Sequence, residues 1–124
     1  DEHIFDKICH MLENARYRVY LSGERKVLEP YTELLEQMVR RNIKVVVITN
    51  PPFELEGAGV YLAERKPGQV GIIVDSSTVL TGDIGNGDQS VCLYSGKKNL
   101  VDLFKDSLSN EIKIIELTGR KEIK

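Results

Sequence analysis

The chain has 124 residues, 41% hydrophobic and 29% charged, with 17 basic against 19 acidic side chains. This is close to the commonest domain size, long enough for a core that buries about two-thirds of the unfolded surface, and the composition excludes long disorder and collagen-like repeats. A net charge of −2, with both signs interspersed, offers no basic stripe to neutralise phosphates, so the chain is not expected to grip nucleic acid by itself.

No apolar run reaches the roughly 18 to 20 residues that span a bilayer, and no membrane partner is expected. Cys9 and Cys92 stand far apart in apolar patterns, which suits a reducing, cytoplasmic setting better than a disulfide framework. Cys92 reads as a small buried hydrophobe. The first residues, Asp1-Glu2-His3-Ile4-Phe5, show neither an initiator Met nor a signal pattern, so the chain is expected to be a piece of a longer protein.

Residues 2–16 carry Ile4, Ile8, Leu12 and Ala15 at helical spacing, with Phe5 and Met11 widening the stripe; they predict an amphipathic helix. So wide a stripe suits packing on the chain's own sheet or against a symmetry mate in a short coiled coil. Residues 18–22 predict a strand closed by Ser22-Gly23. A second helix is expected over 26–41, with Leu28, Tyr31, Leu35, Met38 and Val39 on one face. The β-branched run at 44–49 predicts a strand buried on both sides, parallel to the first in a βαβ unit. Asn50-Pro51-Pro52 and the 54–59 stretch form a loop.

Beyond it, a short strand is expected at 60–64, and Lys66-Pro67-Gly68-Gln69 fits a type II turn into a returning strand at 70–74. Asp75-Ser76-Ser77 makes a tight turn into 78–81. A glycine-rich loop at 82–87 precedes a strand at 90–94. A third helix over 97–109 and a last strand over 111–117 complete the order, followed by a charged tail at 119–124. The fold class is α/β, a mixed sheet flanked by helices, in the order α-β-α-β-β-β-β-β-α-β. The domain reading is a connector helix at 1–16, a sensor domain at 17–118 and the tail.

Few residues signal chemistry. His3 and His10 lie two helical turns apart, but zinc would need further ligands and a closer pair, so no metal or cofactor is expected. The 82–87 loop lacks the Lys-Ser/Thr and the strand–loop–helix context of a phosphate cradle. Glu33, Glu36, Arg40 and Arg41 read as a solvated helix face. Ligands of open α/β sheets sit beyond the carboxyl ends of the parallel strands. The candidate ligand set is therefore Ser22, Gly23, Thr49 and Asn50 at those ends, with Asp75, Gly82 and Asp83 converging from the antiparallel strands. Asp75 also suits an ordinary turn.

The strand ending in Ser22, the long helix, Val45-Val46-Val47-Ile48-Thr49, then Gly68-Gln69-Val70-Gly71-Ile72-Ile73-Val74-Asp75 and Gly82-Asp83 together resemble one half of a phospholipase D-like domain. More closely, they resemble its degenerate form in the C-terminal part of TrmB-type transcriptional regulators, over residues 14–117. Phospholipase D-type catalysis uses His-x-Lys-x-x-x-x-Asp. Counted back from Asp75, the His position is Gly68 and the Lys position is Val70, so nucleophile and phosphate-binding cation are both missing.

The resemblance thus implies a non-enzymatic effector-sensing and dimerisation domain. An unknown small-molecule effector would bind it, a helix-turn-helix upstream of Asp1 would read DNA, and the chain would form a homodimer through the antiparallel strands or the first helix. The other readings are a phosphodiesterase site assembled across a dimer and a dimerisation scaffold without a ligand.

Overall fold

The computed structural model describes residues 2–51, 54–83 and 91–118. The expected glycine-rich loop beyond Asp83 and the charged tail at 119–124 fall outside them. In chain order the elements are α1 (Glu2–Glu13), β1 (Arg18–Gly23), α2 (Arg25–Leu28), a 3-10 turn (Glu29–Tyr31), α3 (Thr32–Arg40) and β2 (Lys44–Thr49). They continue with β3 (Gly59–Leu62), β4 (Gln69–Val74), β5 (Thr78–Asp83), β6 (Val91–Ser95) and α4 (Lys98–Thr118).

The six strands form one sheet in the order β3-β2-β1-β4-β5-β6. β1, β2 and β3 pair in parallel, and β4, β5 and β6 continue the sheet antiparallel. Alternation along the strands divides the side chains between two faces. Val19, Leu21, Val45, Val47, Val70, Ile72 and Leu80 pack with α1 and the helices between β1 and β2. Ile73 and Val79 face the other way, toward Val101 of α4, with Tyr20, Phe104 and Leu108 half-buried around them. β2 is buried on both faces, at Val45 and Val47 on one and Val46 and Ile48 on the other, which matches its uninterrupted run of apolar residues.

The mixed α/β architecture matches expectation, and four details differ. The single helix at 26–41 is broken in three, because Pro30 has no N–H to donate and its ring blocks a regular turn. α3 then ends as expected for Asn in the left-handed region. Asn42 has φ 66°, and the Asn42 and Ile43 N–H groups donate to the Val39 and Met38 carbonyls, closing a Schellman motif.

Second, residues 111–117 are helix, not strand. α4 runs unbroken for 21 residues, with no Gly or Pro inside it. Its buried positions, Val101 and Ile115, share one face with Phe104, Leu108 and Ile112. A strand would set Ile112 and Ile114 on one face and Ile115 and Leu117 on the other; in the helix Ile115 is buried while Ile114 and Leu117 lie on the outer face.

Third, β3 and β4 are not neighbours. β3 pairs in parallel with β2 (Val47 opposite Val60), so the 63–68 segment must cross the carboxyl ends of β2 and β1 to reach β4. The type II turn inside it is present, with Gly68 at φ 77° and the Gln69 N–H donating to the Lys66 carbonyl. Fourth, Cys92 is exposed, because β6 is the outermost strand.

The α1 stripe packs on the chain's own core. Ile4, Ile8, Met11, Leu12 and Ala15 are all buried there, and only Phe5 is turned outward, stacked on Tyr31 at 5.3 Å between ring centroids.

A candidate cleft between the sheet and helix four

β1 and β5 end on the same rim of the sheet, and β4 starts there. Ser22 stands opposite Gly71, and Gly71 opposite Thr81. The next row holds Val70, Gly82 and Cys92. Ser22, Gly71 and Thr81 share a row that faces α4 and leave the sheet surface low there, with Leu93 closing the row on β6, while Val70 in the next row points to the other face. A cleft of about 790 Å³ opens between this surface and α4. Its floor is apolar, from Ile73 and Val79, and Phe104 and Leu108 of α4 form one wall. Glu64, Arg65 and Lys66 of the 63–68 segment lie at its mouth.

Arg65 organises that mouth. Its Nη1 donates to the Ser22 Oγ at 2.9 Å, its Nη2 donates to the Glu111 carboxylate, and its Nε donates to the Ala63 carbonyl at 3.4 Å. The guanidinium thus joins three elements: the end of β1, the crossing segment and α4. Its side chain is only 14% exposed, so this ion pair is screened less than a surface one. A second tie lies further along the helix, where the Tyr61 hydroxyl donates to Glu116 at 3.2 Å. Burial and that hydrogen bond push the Tyr61 hydroxyl above its ordinary pKa.

The structure divides the seven candidate residues. Ser22, Gly82 and Asp83 line the cleft together. Gly23 points to the opposite face, where a Cβ would meet the Gln69 carbonyl oxygen at 3.0 Å and Leu28 at 3.4 Å; its glycine serves packing. Thr49 is fully buried on that face too, and its Oγ1 has no hydrogen-bond partner among the described residues. Asn50 accepts the Arg25 N–H and borders a separate, shallower recess of about 220 Å³.

Asp75 is at the far end of β4, one residue beyond Val74, which pairs with Val19 at the start of β1. Its carboxylate accepts the backbone N–H groups of Arg16, Tyr17 and Arg18 at 2.9, 2.7 and 3.0 Å. Burial alone would raise its pKa, but these bonds and the Arg16 charge outweigh it and hold the carboxyl below the usual range. Asp75 is a clamp on the α1–β1 connection, not a wall of the cleft.

Arg65 and Glu111 were not among the sequence candidates, nor was Ser107, which lines the cleft from α4. The charged triplet Glu64-Arg65-Lys66 before a Pro-Gly turn was the one signal available, and only the crossing path of the chain gives it meaning. Glu111 could not be found while residues 111–117 were read as a strand. Among the described residues, no group of three His, Cys, Asp or Glu side chains could hold a metal ion.

The model of the family described as Transcriptional regulator TrmB, EBD N-terminal subdomain, matches residues 1–105. The chain belongs to the TrmB family. Its match is to one subdomain of these regulators. Solved structures agree in fold. The domain is similar to TrmBL2, an archaeal chromatin protein whose structure shows a novel mode of DNA binding, with a TM-score of 0.69 and 14% identity over 86% of this chain and 47% of that one. It thus spans about half the length of TrmBL2. It is also similar to NucT from Helicobacter pylori, with a TM-score of 0.71 and 14% identity over 90% of this chain and 89% of that one. At such identity both likenesses speak for the fold alone. No curated protein matches the chain in sequence. No helix among the described residues is long and apolar enough to cross a membrane.

Proposed function

We propose that this TrmB-family domain is a non-catalytic effector-sensing and dimerisation module, and that DNA is contacted by a helix-turn-helix domain elsewhere in the longer regulator. The observation that carries the reading is the cleft whose mouth is held by Arg65 between Ser22 and Glu111. Its volume lies within the range of small-molecule sites, about 300–1,000 Å³, and it has the usual apolar lining with a few converging polar groups. The effector is a small molecule that fits between the sheet and α4. It regulates to the extent that it prefers one arrangement of the dimer over another.

A phosphodiesterase of the phospholipase D type would need its nucleophile at the start of β4. Gly68 and Val70 stand there, and both histidines of the chain, His3 and His10, belong to α1 on the other face of the sheet.

The test is a thermal-shift screen of sugars, phosphates, lipids and metal ions against the chain, repeated on Arg65→Ala and Glu111→Gln. A ligand present at 100 times its Kd stabilises the folded state by about 2.7 kcal/mol. At least one compound class is expected to raise Tm by several degrees, and both substitutions are expected to reduce that rise. A screen without any shift removes the effector reading and leaves a scaffold. Hydrolysis of a chromogenic phosphodiester by the pure chain would remove the non-catalytic one.

A further inference from the structure

Among the described residues, four of the large apolar side chains left exposed lie off α4, and three of them have a local role. Phe5 stacks on Tyr31, Leu93 lines the cleft, and Tyr94 lies beneath the Lys7 ammonium, 3.7 Å from its ring centroid. α4 is different. Leu103, Ile114 and Leu117 are 65%, 61% and 87% exposed, on the side of the helix turned away from the sheet. Asp106, Asn110 and Lys113 are exposed between them, at spacings of three and four residues that make one continuous band.

We propose that this band is a homodimer interface, on which a second copy of the chain lays its own α4 antiparallel, with the two-fold axis at Asn110. The proposal rests on the dimerisation half of the function proposed above and is independent of the effector half. A two-fold interface must be complementary to itself, and the order of residues meets that condition. Leu103 and Leu117 each lie seven positions from Asn110, so each leucine faces the other one in the partner. Asp106 lies four positions before Asn110 and Lys113 three after it, which sets Asp106 diagonally beside the partner's Lys113.

At the axis the two Asn110 side chains meet, and an amide offers both a donor and an acceptor, so two of them can pair. A parallel arrangement in the same register would instead set Lys113 beside Lys113 and Asp106 beside Asp106, like charge on like charge. The stripe of α1 cannot take this role, because its buried residues are committed to the chain's own core.

The matched stretch of helix is about 21 Å long, which makes a small interface and a dimer that forms only with rising concentration. The test is light scattering of the chain over a concentration series. The unmodified chain is expected to double its mass at the upper end. Leu117→Glu and Asp106→Lys, both at exposed positions, are expected to stay monomeric there with unchanged circular dichroism. Adding Lys113→Asp to Asp106→Lys is expected to restore the dimer, since the pair is exchanged in both copies.

In a Cys92→Ser background, Asn110→Cys is expected to cross-link to its mate under a mild oxidant, and Leu117→Cys is not. A dimer untouched by Leu117→Glu and Asp106→Lys would overturn this interface while leaving dimerisation standing. A monomer at every concentration would overturn both. Efficient Leu117→Cys cross-linking would overturn the antiparallel geometry.

Discussion

Three backbone N–H groups converge on the Asp75 carboxylate, and Asp75 itself sits at φ 55° beside Ser76 at φ 54°. The pair forms a type I′ turn, closed by the Ser77 N–H on the Val74 carbonyl, which matches the twist of the β4–β5 hairpin. Asp75→Asn offers one acceptor oxygen in place of two and sets an amide against N–H donors. It is expected to cost about 1–3 kcal/mol in urea unfolding at pH 7. The folded pKa lies below the unfolded value of about 3.9, so the stabilisation is complete above that value and is lost as pH falls through the folded pKa. The gap between the wild type and Asp75→Asn should therefore begin to close as pH falls below about 4 and vanish only below the folded pKa, and a constant gap would contradict the clamp. The neighbouring change has the opposite sign. Ser76→Gly relieves a left-handed residue that costs about 1–2 kcal/mol, partly offset by the greater freedom of glycine in the unfolded chain. Its unfolding midpoint is expected to rise slightly.

α4 is the element on which the rest turns. Its first half is anchored by Val101 in a small core with Ile73 and Val79. Its second half has Ile115 buried but otherwise leans on two polar ties, Arg65 to Glu111 and Tyr61 to Glu116. Local stability follows the density of buried apolar contacts, so the two halves should open separately. Arg65→Ala is expected to speed amide hydrogen exchange over residues 109–118 severalfold while leaving that around Val101 unchanged. Glu111→Gln keeps a neutral acceptor for the guanidinium and should lie between. Uniform acceleration along the helix would show that the ion pair is not what holds the second half.

For the molecule as a whole, one helix forms a wall of the cleft with its inner face and carries the proposed dimer band on its outer face. A ligand that repositions α4 must then change dimer affinity, and by reciprocity dimerisation must change ligand affinity by the same factor. Typical couplings are about 1–3 kcal/mol, roughly 5- to 150-fold. Any compound found in the thermal screen should bind the unmodified chain and the monomeric Asp106→Lys variant with different affinities in calorimetry, each measured at high protein concentration. Equal affinities would mean that the two faces of α4 are uncoupled.

Much of the fold was legible in the residues because its signals are local. Val45 to Ile48 could only be a strand covered on both faces, Pro67-Gly68 could only be a turn with positive φ in its third position, and the α1 stripe announced an amphipathic helix. The sequence left open what that stripe packs against, since burial on a sheet and burial on a partner ask for the same residues. It misread residues 111–117, because a short run of isoleucines fits both periods and nothing short of the intact helix distinguishes them. It named Ser22, Gly82 and Asp83 at the rim through a general rule about strand ends. It could not separate them from Gly23 and Thr49, whose side of the sheet depends on pleat register, or from Asp75, whose end depends on strand direction. Arg65 and Glu111 are 46 residues apart, and no local pattern joins them. Only the parallel pairing of β3 with β2, which sends the chain back across the rim, brings that guanidinium to α4.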